Sequence, residues 1–151
     1  MKIDNINKKI LFLLQKDARM TYKEIAAELN RSETTIRDRI KAMERVGIIQ
    51  GYTALIDKTE LGLNFFSIIL ANPITSSDLD NITNKIKKVK NVMRVYQISG
   101  KQRLAIFLVA PSYKEMKEII RLQLLPLGLK DDEIITVLEA DSEFISPLEI
   151  P

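Results

Sequence analysis

Two spacings of apolar residues divide the chain. Over the first fifty residues the apolar positions recur every three or four residues, which is the spacing of amphipathic helices. From residue 65 onward, alternating and continuous apolar runs of strand length are interleaved with two more helical stretches. The pattern therefore predicts a helical domain followed by a domain that mixes strands and helices.

The helical domain contains three predicted helices. Asp4 can cap the first helix and Thr21 the second, where the sequence TYKE places Glu24 at the third helical position and completes a capping box. Only Asn30 and Arg31 separate the second helix from the third. So short a connection makes the two helices cross steeply, which predicts a helix-turn-helix.

The third helix has a buried stripe and a polar face. We expect Ser32 to cap it, Gly47 to end it and Ile48 to pack back onto it. The stripe consists of residues at i, i+4 and i+7, namely Ile36, Ile40 and Met43. Arg39 projects close to this stripe, so we predict a structural role for it inside the small domain.

Residues after the helical domain follow the order strand, helix, strand, strand, helix, strand. The alternating apolar positions at the start of residues 51–63 predict a strand or an extended linker. The six later segments are FFSIILA, SSDLDNITNKIKKV, NVMRVYQIS, RLAIFLVA, SYKEMKEIIRLQLL and EIITVLEA. This βαββαβ order is that of a ferredoxin-like antiparallel sheet with two helices on one face. The fold class is therefore α+β, with a helix-turn-helix domain over 1–50, a linker over 51–63 and a ferredoxin-like domain over 64–151.

Composition argues against enzyme chemistry. The chain has no histidine, the usual acid–base group at neutral pH, and no cysteine for a thiolate nucleophile or a zinc site. We therefore predict no catalytic residues, no metal and no cofactor. The absence of cysteine favours a reducing cytoplasm, and no apolar run is long enough to span a membrane.

The excess positive charge lies at the N-terminal end. Residues 1–62 hold 12 Lys and Arg against 9 Asp and Glu, whereas the remainder of the chain is balanced. In a helix-turn-helix the second helix enters the major groove, where Arg recognises guanine, Asp accepts from cytosine and Thr contacts either bases or phosphates. An ordinary solvated helix would carry similar residues, but the turn geometry favours DNA binding. The predicted DNA-binding residues are Ser32, Thr34, Thr35, Arg37, Asp38, Lys41 and Arg45.

Several motifs together resemble one family. The segments ILFLLQKDAR, EIAAEL, TIRDRI and GIIQGY, with the trailing LG at 61–62, are similar to the winged helix-turn-helix opening of Lrp/AsnC transcriptional regulators. The later βαββαβ segments fit the family's regulatory domain in order and length. The resemblance implies a sequence-specific regulator of double-stranded DNA that acts on amino-acid or central metabolism. It also implies dimerisation through the C-terminal sheet, assembly into tetramers or octamers, and a small-molecule effector bound between regulatory domains.

Two other functions share this build. A general architectural DNA-binding protein would coat DNA without sequence preference. The modest net charge of +3 argues against such a purely electrostatic role, as does the intact third helix, which we call the reading helix because it would enter the major groove. Some proteins with the same two-domain arrangement resemble the family but decarboxylate siroheme-type tetrapyrroles. Their catalytic sites are expected to use histidine, which this chain lacks.

The loop that binds effectors in the family departs from the family pattern here. That loop usually reads like TGDYDL, with a glycine turn for the effector carboxylate and an acid for its ammonium. This chain has SGKQRL, so Lys101 and Arg103 replace both acids beside Gly100 and Gln102. Either the site is vacant or it has turned towards anions through Arg103. Neutral amino acids are expected to bind poorly in both cases, because their ammonium would meet like charges.

Charge is also segregated within the C-terminal domain. Residues 81–114 contain eight basic residues and no acid, whereas residues 131–151 contain seven acids and no base. Two solvated faces would explain this, but complementary patches also favour docking between copies in a fixed register. We therefore expect sheet-packed dimers whose higher oligomers are weakened by salt.

Overall fold

The computed structural model describes residues 3–75, 78–138, 147–148 and 150. These residues form two compact units, with the boundary between Leu55 and Ile56. Residues 147, 148 and 150 belong to the first unit although they follow the second in sequence. Within the described residues, no helix is both long enough and apolar enough to cross a membrane.

The three helices of the first unit begin at the predicted caps. They are α1 (Asn5–Lys16), α2 (Tyr22–Leu29) and α3 (Glu33–Arg45). The Asp4 carboxylate accepts from the backbone N–H of Asn7 at 2.8 Å. Thr21 and Glu24 form the predicted capping box, in which the backbone N–H of Thr21 donates to the Glu24 carboxylate at 2.7 Å. The Ser32 hydroxyl caps α3 in the same way, and all three caps satisfy backbone donors that a helix start would otherwise leave without a partner.

The turn between α2 and α3 is fixed by its backbone. Asn30 takes the left-handed conformation with φ 51° and ψ 57°, which asparagine tolerates better than most residues. The backbone N–H of Arg31 then donates to the carbonyl of Ala26 at 2.9 Å. These bonds close the end of α2 and allow the chain to begin α3 two residues later, as the predicted helix-turn-helix requires.

The end of α3 confirms one prediction and corrects another. Gly47 has φ +76°, and the N–H of Ile48 donates to the carbonyl of Met43 at 2.9 Å, a Schellman-type end. The side chain of Ile48 is exposed, however, and Ile49 packs against the core in its place. The prediction chose the wrong isoleucine because the left-handed turn at Gly47 redirects the chain before Ile48.

The core of the first unit joins all three helices. Its fully buried apolar residues are Ile10, Ile25, Ala26, Ile36, Ile40 and Met43. The predicted stripe of α3 is therefore confirmed. Residues 51–57 have no regular structure and a turn follows them, so the strand considered for this segment is not formed.

The second unit is a four-stranded antiparallel sheet. Its elements are β1 (Phe65–Pro73), α4 (Leu79–Ile86), β2 (Val92–Gln97), β3 (Leu104–Ala110), α5 (Tyr113–Ile119) and β4 (Leu129–Val137). The strand order is β2-β3-β1-β4, and every neighbouring pair is antiparallel. This is the predicted ferredoxin-like topology.

Two boundaries in the second unit differ from the sequence prediction. The helix α5 gives way to a π-helical turn (Ile120–Leu124) and a 3-10 turn (Leu125–Leu127), because Pro126 has no N–H for a regular helix. The last strand begins at Leu129 instead of Glu133, because Leu129 and Lys130 pair with the end of β1. Its predicted final residues, 139 and 140, lie outside the described residues.

The two faces of the sheet have different surroundings. The core lies on the helix-facing side, where Ile69, Ile106 and Leu108 pack against Ile86 of α4 and Met116 of α5. On the opposite face, residues that are neighbours across the strands form an apolar row. That row consists of Phe107 on β3, Ile68 on β1 and Ile135 on β4.

Candidate nucleic-acid interface

Helix α3 presents a polar face opposite its buried stripe. Ile36, Ile40 and Met43 are 0–1% exposed, so the helix cannot rotate without breaking the core. Five of the predicted DNA-binding residues within the helix are exposed, namely Thr34, Arg37, Asp38, Lys41 and Arg45. From residue 34 to residue 45 they extend along about 16 Å of helix, at 1.5 Å per residue. The fold therefore holds one polar surface in a fixed orientation.

The first turn of α3 uses two of the predicted residues for capping. The Ser32 hydroxyl oxygen accepts from the backbone N–H of Thr35 at 3.1 Å and lies 2.7 Å from the Thr35 hydroxyl. Thr35 is half-buried, whereas Thr34 is exposed. Ser32 and Thr35 thus shape the helix start, and Thr34 is the hydroxyl that faces outward there.

Arg37 and Asp38 are adjacent but weakly paired. Their closest charged atoms, Arg37 Nε and Asp38 Oδ1, are 3.8 Å apart, which is beyond hydrogen-bonding distance. Their side chains are 44% and 68% exposed, so water screens the attraction. Both groups can exchange this contact for a ligand at small cost.

Arg39 has the structural role predicted for it. Its Nη1 donates to the Asp4 carboxylate at 2.7 Å and to the Asn7 side-chain oxygen at 3.0 Å. Asn7 is almost completely buried. The backbone N–H of Asn7 and the Arg39 guanidinium together hold the pKa of Asp4 below its usual value. Arg39 therefore joins α3 to the start of α1 and does not belong to the outward face.

One contact near the interface was not predicted. The Tyr52 hydroxyl donates to the Glu44 carboxylate at 2.9 Å, which joins residues following the helix to α3 itself. Partial burial and this carboxylate raise the pKa of Tyr52 to about 12. No periodicity marks such a pair, because Tyr52 lies in a segment without regular structure.

The predicted effector residues lie in the loop between β2 and β3. Gly100 has φ +123°, a conformation that favours glycine. The Asn72 side-chain amide donates to the Lys101 carbonyl at 3.1 Å, and the N–H of Arg103 donates to the Ala71 carbonyl at 3.2 Å. Lys101 and Arg103 are exposed and Gln102 is half-buried. The loop backbone is thus anchored to β1, while both cationic side chains face solvent.

Comparison with known proteins agrees with this geometry. The sequence profile of winged helix-turn-helix DNA-binding domains matches residues 3–50. The transcriptional regulator LrpA of Pyrococcus horikoshii is 36% identical over 118 residues, which cover 78% of this chain and 83% of LrpA.

Two solved structures share the fold. E. coli AsnC superposes with a TM-score of 0.84 at 23% identity, covering 94% of this chain and 96% of AsnC. A transcriptional regulator of Neisseria meningitidis, solved in complex with L-methionine, superposes with a TM-score of 0.86 at 21% identity, covering 99% and 97%. Taken with the reading helix and the ferredoxin-like sheet, these similarities show that the chain belongs to the Lrp/AsnC family of helix-turn-helix transcriptional regulators.

Proposed function

We propose that this regulator acts in the cytoplasm as a dimer or higher oligomer and reads specific DNA sequences with the outward face of α3. The observation that carries the proposal is the division of α3 into a fully buried stripe and a continuous polar face. Such a helix can be inserted into a groove without disturbing its own domain. We propose no catalytic activity.

Residues along α3 have different proposed partners. Thr34, Arg37 and Asp38 lie in the N-terminal half, the part that contacts base edges in helix-turn-helix proteins. Arg37 can donate two hydrogen bonds to guanine, and Asp38 can accept one from cytosine. Lys41 and Arg45 lie farther along the same face, where contacts to phosphates supply affinity without sequence preference. Ser32 and Thr35 present the helix start and its backbone N–H groups to a phosphate.

The outer face of the sheet supports a dimer. Phe107 contacts Tyr96 in an edge-on arrangement with ring centroids 5.5 Å apart, and Phe66 lies 6.1 Å from Phe107. Phe66, Ile68 and Phe107 are only half-buried, and Ile135 is 41% exposed. An apolar surface of this kind is stabilised by a second copy that removes it from water. The two reading helices of such a dimer would address two half-sites.

Selection of bound duplexes from a random pool, followed by footprinting, tests this function. We expect a few discrete pseudo-palindromic sites, with half-sites separated by about one helical turn or a multiple of it. Uniform protection along any DNA would instead indicate an architectural protein. Absence of binding at low salt would refute the proposal for α3.

Charge segregation is proposed to stabilise assemblies larger than the dimer. The basic surface includes the exposed residues Lys85, Lys87, Lys88 and Lys90 at the end of α4 and just after it. Of the acids in 131–151, Glu133 is exposed on β4, and the other acidic side chains lie outside the described residues. Sedimentation at low and high salt tests the idea. We expect the larger species to dissociate in salt while the dimer persists, and an assembly indifferent to salt would contradict it.

For the effector, we propose that neutral and cationic amino acids bind weakly at the β2–β3 loop. Lys101 and Arg103 are exposed there, and residues 81–114 contain no acid to meet an ammonium group. The L-methionine complex concerns the relative from N. meningitidis, whose structural likeness to this chain extends to the fold alone. Either the site is vacant here, or Arg103 binds an anionic group through paired hydrogen bonds.

Calorimetry against the twenty amino acids and common dicarboxylates separates these alternatives. Binding of a dicarboxylate that is lost in Arg103→Gln supports the anion site, whereas no binding by any compound supports vacancy. Micromolar binding of leucine, glutamine or lysine, lost on substitution of Gly100, would show that the inference from the missing acids is wrong.

A further inference from the structure

Two charges lie at opposite edges of the outer face of the sheet. Arg94 on β2 pairs with Phe107 on β3, so it extends the apolar row of this face to the edge formed by β2. That row is the middle one, because β1 places Phe66 in the row before it and Leu70 in the row after it. Glu133 on β4 pairs with Leu70 and ends that next row at the other edge. The outer face therefore carries a cation at one edge and an anion at the other.

Neither charge is neutralised within the chain. The side chains of Arg94 and Glu133 are exposed, and neither forms an ion pair within the part of the chain that the structure describes. Tyr96, two positions after Arg94, contacts the ring of Phe107, so this side of β2 faces outward. Neighbouring rows are about 7 Å apart along the strands, a distance that an arginine side chain can span. Each charge is therefore available to the opposite charge on a second copy.

A second copy can cover the outer face in two aligned arrangements. Aligned sheets keep their strand directions within about 30° of each other, and a two-fold axis between them relates the two copies. If the axis runs along the strands, β2 of one copy lies over β4 of the other. If the axis runs across the strands, β2 lies over β2 and β4 lies over β4.

The two edge charges distinguish these arrangements. With the axis along the strands, Arg94 lies within one row of Glu133 of the second copy, and symmetry makes this contact twice. With the axis across the strands at the middle row, Arg94 lies over Arg94 of the second copy, a like-charge contact that costs free energy. Lys130 and Arg103 are exposed farther along the strands, beyond the apolar rows, where water screens their charges. Charge therefore favours the first arrangement.

We propose that Arg94 and Glu133 fix the direction of packing in the dimer, with β2 of each copy over β4 of the other. The inference rests on the proposed dimer through the outer face of the sheet, and it names the residues that select its register. The apolar rows supply most of the affinity, whereas the charge pairs exclude the alternative packing. The two copies of β1 then begin at the same end of the dimer.

Charge reversal tests the pair. Arg94→Glu and Glu133→Arg each create two like-charge contacts, and we expect each to raise the dimer dissociation constant at low salt about 10-fold or more. The double variant restores opposite charges and should return to within about 3-fold of the original chain. Lys114→Glu and Glu118→Arg are the matched controls, since both residues are exposed on α5, on the other side of the sheet. Sedimentation measures all five dissociation constants against that of the original chain.

A single cysteine tests the direction of packing in a chain that otherwise has none. Asn64 is exposed directly before β1, four residues before Ile68 of the middle row. If β2 lies over β4, the two Asn64 positions meet across the gap of about 10 Å between packed sheets. If β2 lies over β2, they are about 27 Å apart along the strands, at about 3.4 Å per residue. We expect a short bis-maleimide to link Asn64→Cys between copies, whereas Leu122→Cys, on the helix-covered side, stays unlinked.

Three results would overturn the proposal, provided that circular dichroism shows folded variants. Single charge reversals that dimerise as well as the original chain, or a double variant no tighter than the single ones, would show that the charges do not select the packing. Dimers of Asn64→Cys that do not link would assign a different packing direction. Either result leaves the dimer itself standing. A monomeric original chain would instead refute the proposed dimer, and this inference with it.

Discussion

The two units present surfaces of opposite character. The outward face of α3 is polar and charged, and it lies on a unit whose apolar stripe is already buried. The outer face of the sheet is apolar, with Phe66, Ile68 and Phe107 half-buried in the single chain. The first surface is stable in water and can accept an anionic partner, whereas the second exposes apolar area to water, which favours a second copy that would cover it.

Each surface can be recognised by how its side chains interact with water. A DNA-reading face must keep its charges solvated until phosphates replace water, so its signature is exposure without strong internal ion pairs. Each Å² of apolar area that a self-association face exposes to water costs about 25 cal/mol of free energy, and this cost is removed when a second copy covers the face. Substitutions on the outward face of α3 should therefore change DNA affinity, whereas substitutions on the outer face of the sheet should change assembly.

The largest effect is expected from a charge on the sheet face. Phe107→Asp places a carboxylate between Tyr96, Phe66 and the proposed second copy. Loss of an aromatic anchor costs about 2 kcal/mol or more, which corresponds to a dimer at least about 30-fold weaker. Sedimentation at micromolar concentration measures this, and we expect monomers.

A matched control distinguishes the face from a general effect of charge. Leu122→Asp alters a leucine that is 59% exposed on the π-helical turn after α5, and it should leave the dimer intact. Circular dichroism should show that Phe107→Asp is still folded. A folded Phe107→Asp variant that stays dimeric would show that the outer face of the sheet is not the dimer contact.

The second prediction contrasts two arginines on α3. Arg39→Ala leaves the buried side-chain oxygen of Asn7 without its donor, which should cost about 1–3 kcal/mol of folding free energy. Arg37→Ala should leave folding unchanged but cost about 1–3 kcal/mol of DNA binding and relax preference at one base pair. Denaturant unfolding and anisotropy titrations measure the two losses. A folding loss in Arg37→Ala together with a DNA-binding loss in a stably folded Arg39→Ala would show that the two faces of α3 are assigned wrongly.

Sequence patterns predicted this division of α3 well, because burial follows helical spacing closely. The caps at Asp4, Thr21 and Ser32 were also predictable, since each depends on residues three apart. Contacts that depend on tertiary placement were not predictable. Periodicity does not encode the Tyr52 to Glu44 bond.

The boundary errors have the same origin. The last strand begins at Leu129 because Leu129 and Lys130 have partners on β1, and no property of LKDD itself indicates a strand. Ile49 replaces Ile48 in the core because the chain turns at Gly47. Sequence alone therefore predicted the elements and the candidate reading face, while register and chain direction required the structure.

A third prediction concerns the far end of the reading face. Lys41→Ala and Arg45→Ala should weaken binding to all duplexes about equally, if each side chain contacts a phosphate. Each should also lower the slope of log affinity against log salt by about 1. Titrations of selected and scrambled duplexes at several salt concentrations measure this. A loss confined to the selected duplex would instead assign base contacts to these residues.

The smallest expected effect concerns Tyr52. Its pKa in the folded chain is about 12, against an ordinary value of 10.0, because partial burial and the Glu44 carboxylate favour the protonated hydroxyl. The contact thus contributes to stability in full below pH 10 and loses its contribution as the pH rises towards 12. Phenolate absorbance, with Tyr52→Phe to identify the signal, measures the pKa. Glu44→Gln should lower it, and an unchanged pKa would exclude the carboxylate as a cause.

The most direct test of the account is the affinity of the Arg37→Ala, Lys41→Ala, Arg45→Ala triple variant for a selected duplex. None of these side chains belongs to the buried core of the first unit or to the sheet, so the variant should fold and assemble normally. We expect anisotropy titrations to show a larger loss than Arg37→Ala alone, because a base contact of about 1–3 kcal/mol and two phosphate contacts are removed together. A folded, dimeric triple variant that binds the duplex as tightly as the original chain would contradict the assignment of α3 as the reading helix.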